Sequence, residues 1–210
     1  APLRETIASL LLRAAGFSGQ EPVLDPMCGS GTFIIEAAEI AVGLKPGRSR
    51  KFAFEQLASF DAAKWAVMQQ SASTATQLKF YGSDRDAGAI RSSLANAARA
   101  GVSDVVTFQQ KSISDLQRPD GETGLVIVNP PYGTRIGDKR PLFDLHATFG
   151  KVMRERFEGW RVAMITTDPA LAKATGLPFK KPGGTINHGG LKISLYLTPP
   201  LRASVTTDKP

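Results

Sequence analysis

Two groups of residues, about a hundred positions apart, have types and spacing suited to chemistry. The later group is Asn129-Pro130-Pro131-Tyr132, which follows the apolar run Leu125-Val126-Ile127-Val128. Two prolines restrict the backbone and remove two N–H donors, while Asn129 adds a side-chain carbonyl, so the end of this run is rich in hydrogen-bond acceptors. Such a cluster suits an amino group carried by an aromatic base or an amide, whose lone pair is delocalised and poorly nucleophilic. Accepting both N–H bonds, through the Asn129 oxygen and the Pro130 carbonyl, favours a pyramidal nitrogen. Tyr132 is then available to stack on a base plane. No strong general base is required, because the proton becomes acidic only as the nitrogen gains positive charge, and positioning carries most of the rate.

The earlier group is Val23-Leu24-Asp25-Pro26-Met27-Cys28-Gly29-Ser30-Gly31-Thr32, a short apolar run opening into a glycine-rich turn. Glycines let the backbone approach a ligand closely, and α/β proteins bind nucleotides at the carboxyl ends of parallel strands. A dinucleotide fingerprint is excluded, because Ile34 stands where G-x-G-x-x-G needs its third glycine and the next strand-end acid, Asp84, comes 53 residues after Gly31 rather than ~20. GLKPGRSRK, residues 43–51, lacks the G-K-[ST] ending of a phosphate-binding loop. Asp25 suits an ammonium group and Asp84 suits ribose hydroxyls. S-adenosylmethionine carries both.

Elements that place these groups follow from periodicity. Ile7, Leu10, Leu11 and Ala14 predict an amphipathic helix over residues 3–15, ended by Gly16 and Gly19. A strand is expected at 22–25, a helix from Thr32 to Val42, and a basic loop at 43–51. One or two helices over 52–70 complete an insertion of about residues 43–77. Strands are predicted at 78–84, 105–109, 125–128 and 162–166, with helices near 86–100 and 141–157. Residues 178–198, with Gly183-Gly184 and Gly189-Gly190, predict an antiparallel hairpin, and a tail runs from Pro199 to Pro210. Alternating strands and helices predict an α/β sheet with helices on both faces.

Composition narrows the function classes. At 210 residues with 42% hydrophobic and 21% charged side chains, a folded globule is expected, and no apolar stretch approaches the roughly 18–20 residues of a membrane-spanning helix. One cysteine, Cys28, and two histidines, His146 and His188, supply neither an internal disulfide nor a Cys/His metal cage, and a cytoplasmic chain without a metal is expected. Cys28 reads as a packing residue rather than a nucleophile. The formal charge is +7, and residues 106–210 hold fifteen of the basic and nine of the acidic side chains, which favours a polyanionic partner. Lys45, Arg48, Arg50 and Lys51, with Phe52 and Phe54, could hold phosphates and flank a base, and Lys151, Arg154, Arg156, Arg161, Lys180 and Lys181 could extend that surface.

Taken together, DPMCGSGTFIIEAA, YGSDRD and NPPYGTRIG, with LHATFGKVMRERFEGW downstream and APLRETIASLLLRAAG upstream, closely resemble the catalytic domain of THUMP-linked RNA guanine-N2 methyltransferases, and best of all those acting on bacterial 23S rRNA. The resemblance spans roughly residues 1–198. It implies a Rossmann-like class I methyltransferase fold, with a mostly parallel seven-stranded sheet and a C-terminal antiparallel hairpin. It also implies S-adenosyl-L-methionine as cofactor, RNA as partner and an RNA-binding THUMP domain upstream. By resemblance Asp25, Cys28, Gly29 and Gly31 line the methionine end of the cofactor and Asp84 holds its ribose. Pro26, Thr32, Arg85, Ser112, Ile113 and Asn129 complete the cofactor set. Asn129, Pro130, Pro131 and Tyr132 present the target amine. Family members often place an acid where this chain has Ser112, and Asp115 is the available substitute for the adenine contact. Competing readings are a tRNA guanine-N2, a DNA adenine-N6 or a protein glutamine-N5 methyltransferase, and a nonenzymatic RNA-binding or assembly module.

Overall fold

The computed structural model describes residues 3–70, 75–131 and 140–202. Seven strands, β1 (Val23–Asp25), β2 (Phe80–Asp84), β3 (Val106–Gln110), β4 (Leu125–Val128), β5 (Arg161–Thr166), β6 (Thr185–His188) and β7 (Leu191–Leu197), form one sheet in the order β3-β2-β1-β4-β5-β7-β6. The first five are mutually parallel, β7 runs antiparallel to β5, and β6 pairs antiparallel with β7. The helices are α1 (Glu5–Ala14), α2 (Thr32–Val42), α3 (Ala62–Gln69), α4 (Ala87–Ala100), α5 (Arg140–Arg156) and α6 (Pro169–Ala174). Successive strand side chains point to opposite faces, so the apolar runs of β1 and β4 feed two cores at once. Val23, Leu125 and Ile127 pack with α1, α2 and α4, whereas Leu24, Val126 and Val128 pack with α5 and α6.

Where the expected elements shift, local chemistry explains it. The predicted 178–198 hairpin turns at Gly189-Gly190, both with positive φ, while Gly183-Gly184 precede β6 and take no part in the turn. Helix α6 is absent from the sequence reading, although its start is encoded: the Asp168 side chain accepts the Ala170 N–H at 2.9 Å, and Pro169 occupies the first turn, where a missing N–H costs nothing. Over residues 52–70 the insertion forms a 3-10 turn (Ala53–Gln56) and α3, neither with a buried residue, and Phe52, Phe54, Phe60 and Trp65 pack on one another. The expected tail is tied down at its beginning: Leu201 is buried, its N–H donates to the Trp160 carbonyl, and its own carbonyl accepts from Gly159.

For the parallel strands the carboxyl ends share one edge of the sheet, and that edge receives Asp25, Asp84 and Asn129. Its floor is tight. A Cβ added at Gly82 would stand 2.4 Å from the Phe108 ring and 3.2 Å from Cys28 Sγ. Phe108 comes from edge strand β3 and reaches under the glycine-rich turn, where a Cβ at Gly31 would also meet it, at 2.9 Å. Gly82→Ala is therefore expected to destabilise the protein by about 1–3 kcal/mol through overpacking. Urea unfolding of Gly82→Ala, Phe108→Leu and the double variant checks this: the double variant should be more stable than the sum of the two losses.

Candidate active site

Asp25 ends β1, and residues 27–31 then reverse the chain into α2. Gly29 (φ +53°) and Gly31 (φ +84°) both take left-handed backbone, which a side chain makes costly. They differ in surroundings. A Cβ at Gly31 would collide with Phe108 and Ser93, whereas one at Gly29 would meet nothing within 4 Å and would project into open space. Gly29 is thus the point of close approach, and Gly31 a packing necessity. Because Gly31 is also the residue before α2, no side chain caps that helix, and its first-turn N–H groups are left for another acceptor.

The turn is held from β2 and from α4. Asp84 accepts the Gly29 N–H at Oδ2 and the Asp86 N–H at Oδ1, both at 3.0 Å, and the Cys28 N–H donates to the Ser83 carbonyl. From α4, the Ser93 hydroxyl donates to the Gly29 carbonyl and the Asn96 amide to the Ser30 carbonyl, each at 2.8 Å. Neither Ser93 nor Asn96 figures in the sequence reading. The available signal was a serine at core spacing between Ile90 and Ala97, where a hydroxyl is disfavoured unless it has a partner.

Asp25 is 2% exposed, and its carboxylate accepts one backbone N–H, that of Met27, at 3.0 Å. Burial pushes its pKa up to about 8; the Met27 bond opposes this and the nearby Asp84 charge adds to it. Cys28 is buried, and burial followed by the Asp25 charge drives its thiol well above the ordinary range, so it is held as the neutral S–H and is no nucleophile.

Asp25, Cys28, Gly29, Thr32 and Asn129 line one cleft of about 380 Å³, together with Met27, Phe33 and Ser92. The Asn129 Oδ1 atom is buried and makes no hydrogen bond with the described protein atoms. Pro26 and Pro130 are buried beside the cleft-lining residues, and Pro131 is exposed. Tyr132 lies outside the described residues. Arg85 is exposed, and its carbonyl accepts from Gln110 Nε2. Ser112 and Ile113 do not line this cleft. They follow Lys111, whose N–H donates to the Asp84 carbonyl, and Ser112 donates to Asp115 at 2.6 Å, so the two candidates for an adenine contact form one pair. Both histidines are buried. His146 Nδ1 pairs with the Leu142 carbonyl at 2.7 Å, and burial lowers its pKa. Among the described residues no group of three His, Cys, Asp or Glu side chains could hold a metal, and no helix is long and apolar enough to cross a membrane.

Several basic residues offered as a phosphate-binding surface have structural partners instead. Arg48 pairs with Glu39 and the Ala100 carbonyl, and Arg154 with the Thr175 carbonyl. Arg156 binds the Ser114 and Leu116 carbonyls, and Arg161 binds Glu21 and the Ala15 carbonyl. A guanidinium fork can reach two acceptors at once, as Arg48, Arg156 and Arg161 each do here.

Residues 1–181 match the model of the family UPF0020, RMKL-like methyltransferase domain. The chain belongs to this family. The Ribosomal RNA large subunit methyltransferase K/L of Chromohalobacter salexigens is 38% identical to the RMKL-like domain over 213 residues, covering 95% of the chain and 29% of that protein. Among solved structures, a possible methylase of Clostridium difficile 630 superposes with a TM-score of 0.86 at 30% identity, and the SMU.472 protein complexed with SAH with 0.84 at 30%. Each covers 97% of this chain, which spans 54% of either solved chain and under a third of the curated relative. The RMKL-like domain therefore has the class I methyltransferase fold anticipated from its motifs, with the parallel strands and terminal hairpin in the expected places.

The Asp25 shift has a consequence for stability. Its pKa is raised above the unfolded value, so relative to a neutral side chain Asp25 costs nothing below about pH 4 and destabilises progressively as pH rises through about 8. Asp25→Asn, which keeps an acceptor for Met27, should therefore match the parent's thermal midpoint near pH 4. Above it the variant should gain an advantage that grows to about pH 8 and then levels off. Thermal melts across pH 4–9 check this.

Proposed function

We propose that this chain is the catalytic domain of an S-adenosylmethionine-dependent methyltransferase that acts on the exocyclic N2 amine of a guanine in RNA, specifically 23S rRNA. The observation that carries the reading is that Asn129, whose buried Oδ1 has no hydrogen-bond partner among the described atoms, lines the same cleft as Asp25 and Gly29. A buried acceptor without a partner is costly unless a ligand donor satisfies it. The SAH bound in the SMU.472 structure supports the cofactor, the K/L relatives' name supports rRNA of the large subunit, and the motif resemblance supports the guanine N2 amine.

The residues present fit the cofactor. Asp25 offers a desolvated carboxylate to an ammonium group, and the uncapped start of α2 offers N–H groups to a carboxylate. Each Asp84 oxygen already accepts one backbone bond, which leaves lone pairs for ribose hydroxyls. Gly29 keeps the turn free of a Cβ where the ligand must pass. Cys28 and Thr32 line the cleft, Pro26 and Gly31 are their neighbours in the chain, and Arg85, Ser112 and Ile113, which follow the ends of β2 and β3, are assigned to the cofactor by the motif resemblance. When bound, the cofactor supplies a methyl group made electrophilic by its sulfonium.

The chain's own contribution is to orient the amine. Asn129 Oδ1 and the Pro130 carbonyl accept its two N–H bonds, the motif resemblance assigns Pro131 and Tyr132 to presenting the same base, and the nitrogen lone pair is turned into the cleft. The methyl group would come from the sulfonium of the bound cofactor, and the amine that accepts it would pass its proton to water. The unit doing this runs from residue 1 to 198, with an insertion at about 43–77, and domains outside this segment, a THUMP domain among them, would dock the RNA.

Asn129→Ala should lower turnover on the order of 10²–10³-fold while leaving SAH affinity within about twofold, since it removes an interaction made by the reacting amine. Asp84→Ala should weaken SAH binding. Mass spectrometry of 23S rRNA from a deletion strain, with the complete protein added back, should show one N2-methylguanosine lost and restored. A methyladenine in its place, or unchanged turnover in Asn129→Ala, would overturn the assignment.

A further inference from the structure

We propose that Ser93 and Asn96 of α4 are positioning residues that hold the glycine-rich turn in its ligand-receiving conformation; this rests on the cofactor reading above. A turn with glycines at 29 and 31 is among the least self-determined pieces of backbone in a protein, because glycine populates positive and negative φ almost equally. Something outside the turn must select one conformation.

The selection is made by two side chains on one helix. Ser93, fully buried, has a single hydroxyl proton with two carbonyls in reach, Gly29 at 2.8 Å and Ala89 at 3.1 Å, and the shorter contact, to Gly29, is the better placed to take it. One turn further along α4, Asn96 donates to the Ser30 carbonyl at 2.8 Å. Two consecutive peptide carbonyls are thereby turned toward α4. Because each peptide is planar and trans, the N–H that follows the Gly29 carbonyl, that of Ser30, is sent to the side away from Ser93.

Helix α4 is itself fixed to the ribose carboxylate. Asp84 Oδ1 accepts the Asp86 N–H, Asp86 caps α4 by accepting from Ala89 at 2.9 Å, and Asp84 Oδ2 accepts from Gly29. The contacts close a ring: turn to Asp84, Asp84 to Asp86, Asp86 to α4, and α4 back to the turn through Ser93 and Asn96. The ring locks together the two cofactor-facing pieces, a carboxylate at the end of β2 and a turn at the end of β1. Packing alone does not call for these side chains. Ser93 lies at the Ile90 and Ala97 spacing, where alanine would fill the space, and Asn96 is half-buried.

The test uses SAH as probe and calorimetry on the chain, well below the melting temperature of every variant. Asn96→Asp has the same size but presents an oxygen to the Ser30 carbonyl, and should weaken SAH binding about tenfold or more. Ser93→Ala should weaken it about three- to tenfold. Asn96→Gln, which keeps the amide donor, should recover most of the loss. In turnover assays with the complete enzyme, the S-adenosylmethionine KM should rise while kcat at saturation stays within about twofold, the mark of lost ground-state binding. A role confined to stability would lower the melting temperature and leave the dissociation constant of the folded protein unchanged. That result, in both Asn96→Asp and Ser93→Ala, overturns the proposal. If Asn96→Asp does not fold, Ser93→Ala decides alone. A parent chain that does not bind SAH overturns the cofactor reading and this inference together, whereas a parent that binds beside indifferent variants overturns only this one.

Discussion

Parallel pairing of β1 with β4 is the interaction on which the candidate site depends. In the order β3-β2-β1-β4-β5-β7-β6 the chain steps outward from β1 to β2 and β3, and then returns to lay β4 against the other side of β1. Val23 pairs with Leu125 and Leu24 with Val126, so the next positions, Asp25 and the residues leading to Asn129, emerge at the same edge. Neighbouring strands that send their connections in opposite directions leave a crevice between them, and this is where open α/β sheets bind ligands. Both strands are buried on both faces, and the first polar side chain comes at Asp25, the last residue of β1, and at Asn129, the residue just after β4. The change from apolar run to polar terminus therefore marks the boundary between core and cleft on each strand.

That boundary was plain in the sequence because it is a local signal. Leu125–Val128 could only be a buried strand, and Asp25-Pro26 and Asn129-Pro130 end their strands by taking the chain out of the ladder. What the sequence hid was which polar side chains would be claimed by backbone carbonyls. Arg154, Arg156 and Arg161 look, by spacing, like an exposed basic stripe, yet each reaches a carbonyl at a loop or helix end that must be satisfied. Those carbonyls lie on other elements, up to 146 positions away along the chain, so no periodicity in the arginine segment reports them. Asn96 is hidden for the same reason: its partner is Ser30, 66 residues earlier. Helix α6 went unread for a different one. Six residues are too few for a periodic pattern to emerge, although its capping Asp168 and Pro169 were in view.

Two carboxylates at the same edge illustrate how environment divides one side-chain type into two jobs. Asp84 is half-buried and accepts two backbone N–H groups, one at each carboxylate oxygen, and so holds the turn. Asp25 is almost wholly removed from water, has a single N–H partner and feels the charge of Asp84, so burial wins and its proton is retained to about pH 8. A neighbouring cation would reverse that balance, because it restores the stabilisation that water no longer provides. A carboxylate desolvated in advance thus trades stability of the free protein for discrimination. A cation placed against it recovers the cost of burial, whereas a neutral group of the same shape recovers none. The glycine-rich turn follows the same logic in backbone form, giving up the conformational security of side chains so that a ligand can approach, and recovering that security through contacts from β2 and α4. Residues that pay no such cost, such as Phe108 beneath the turn, supply the rigid floor against which both compromises can be held.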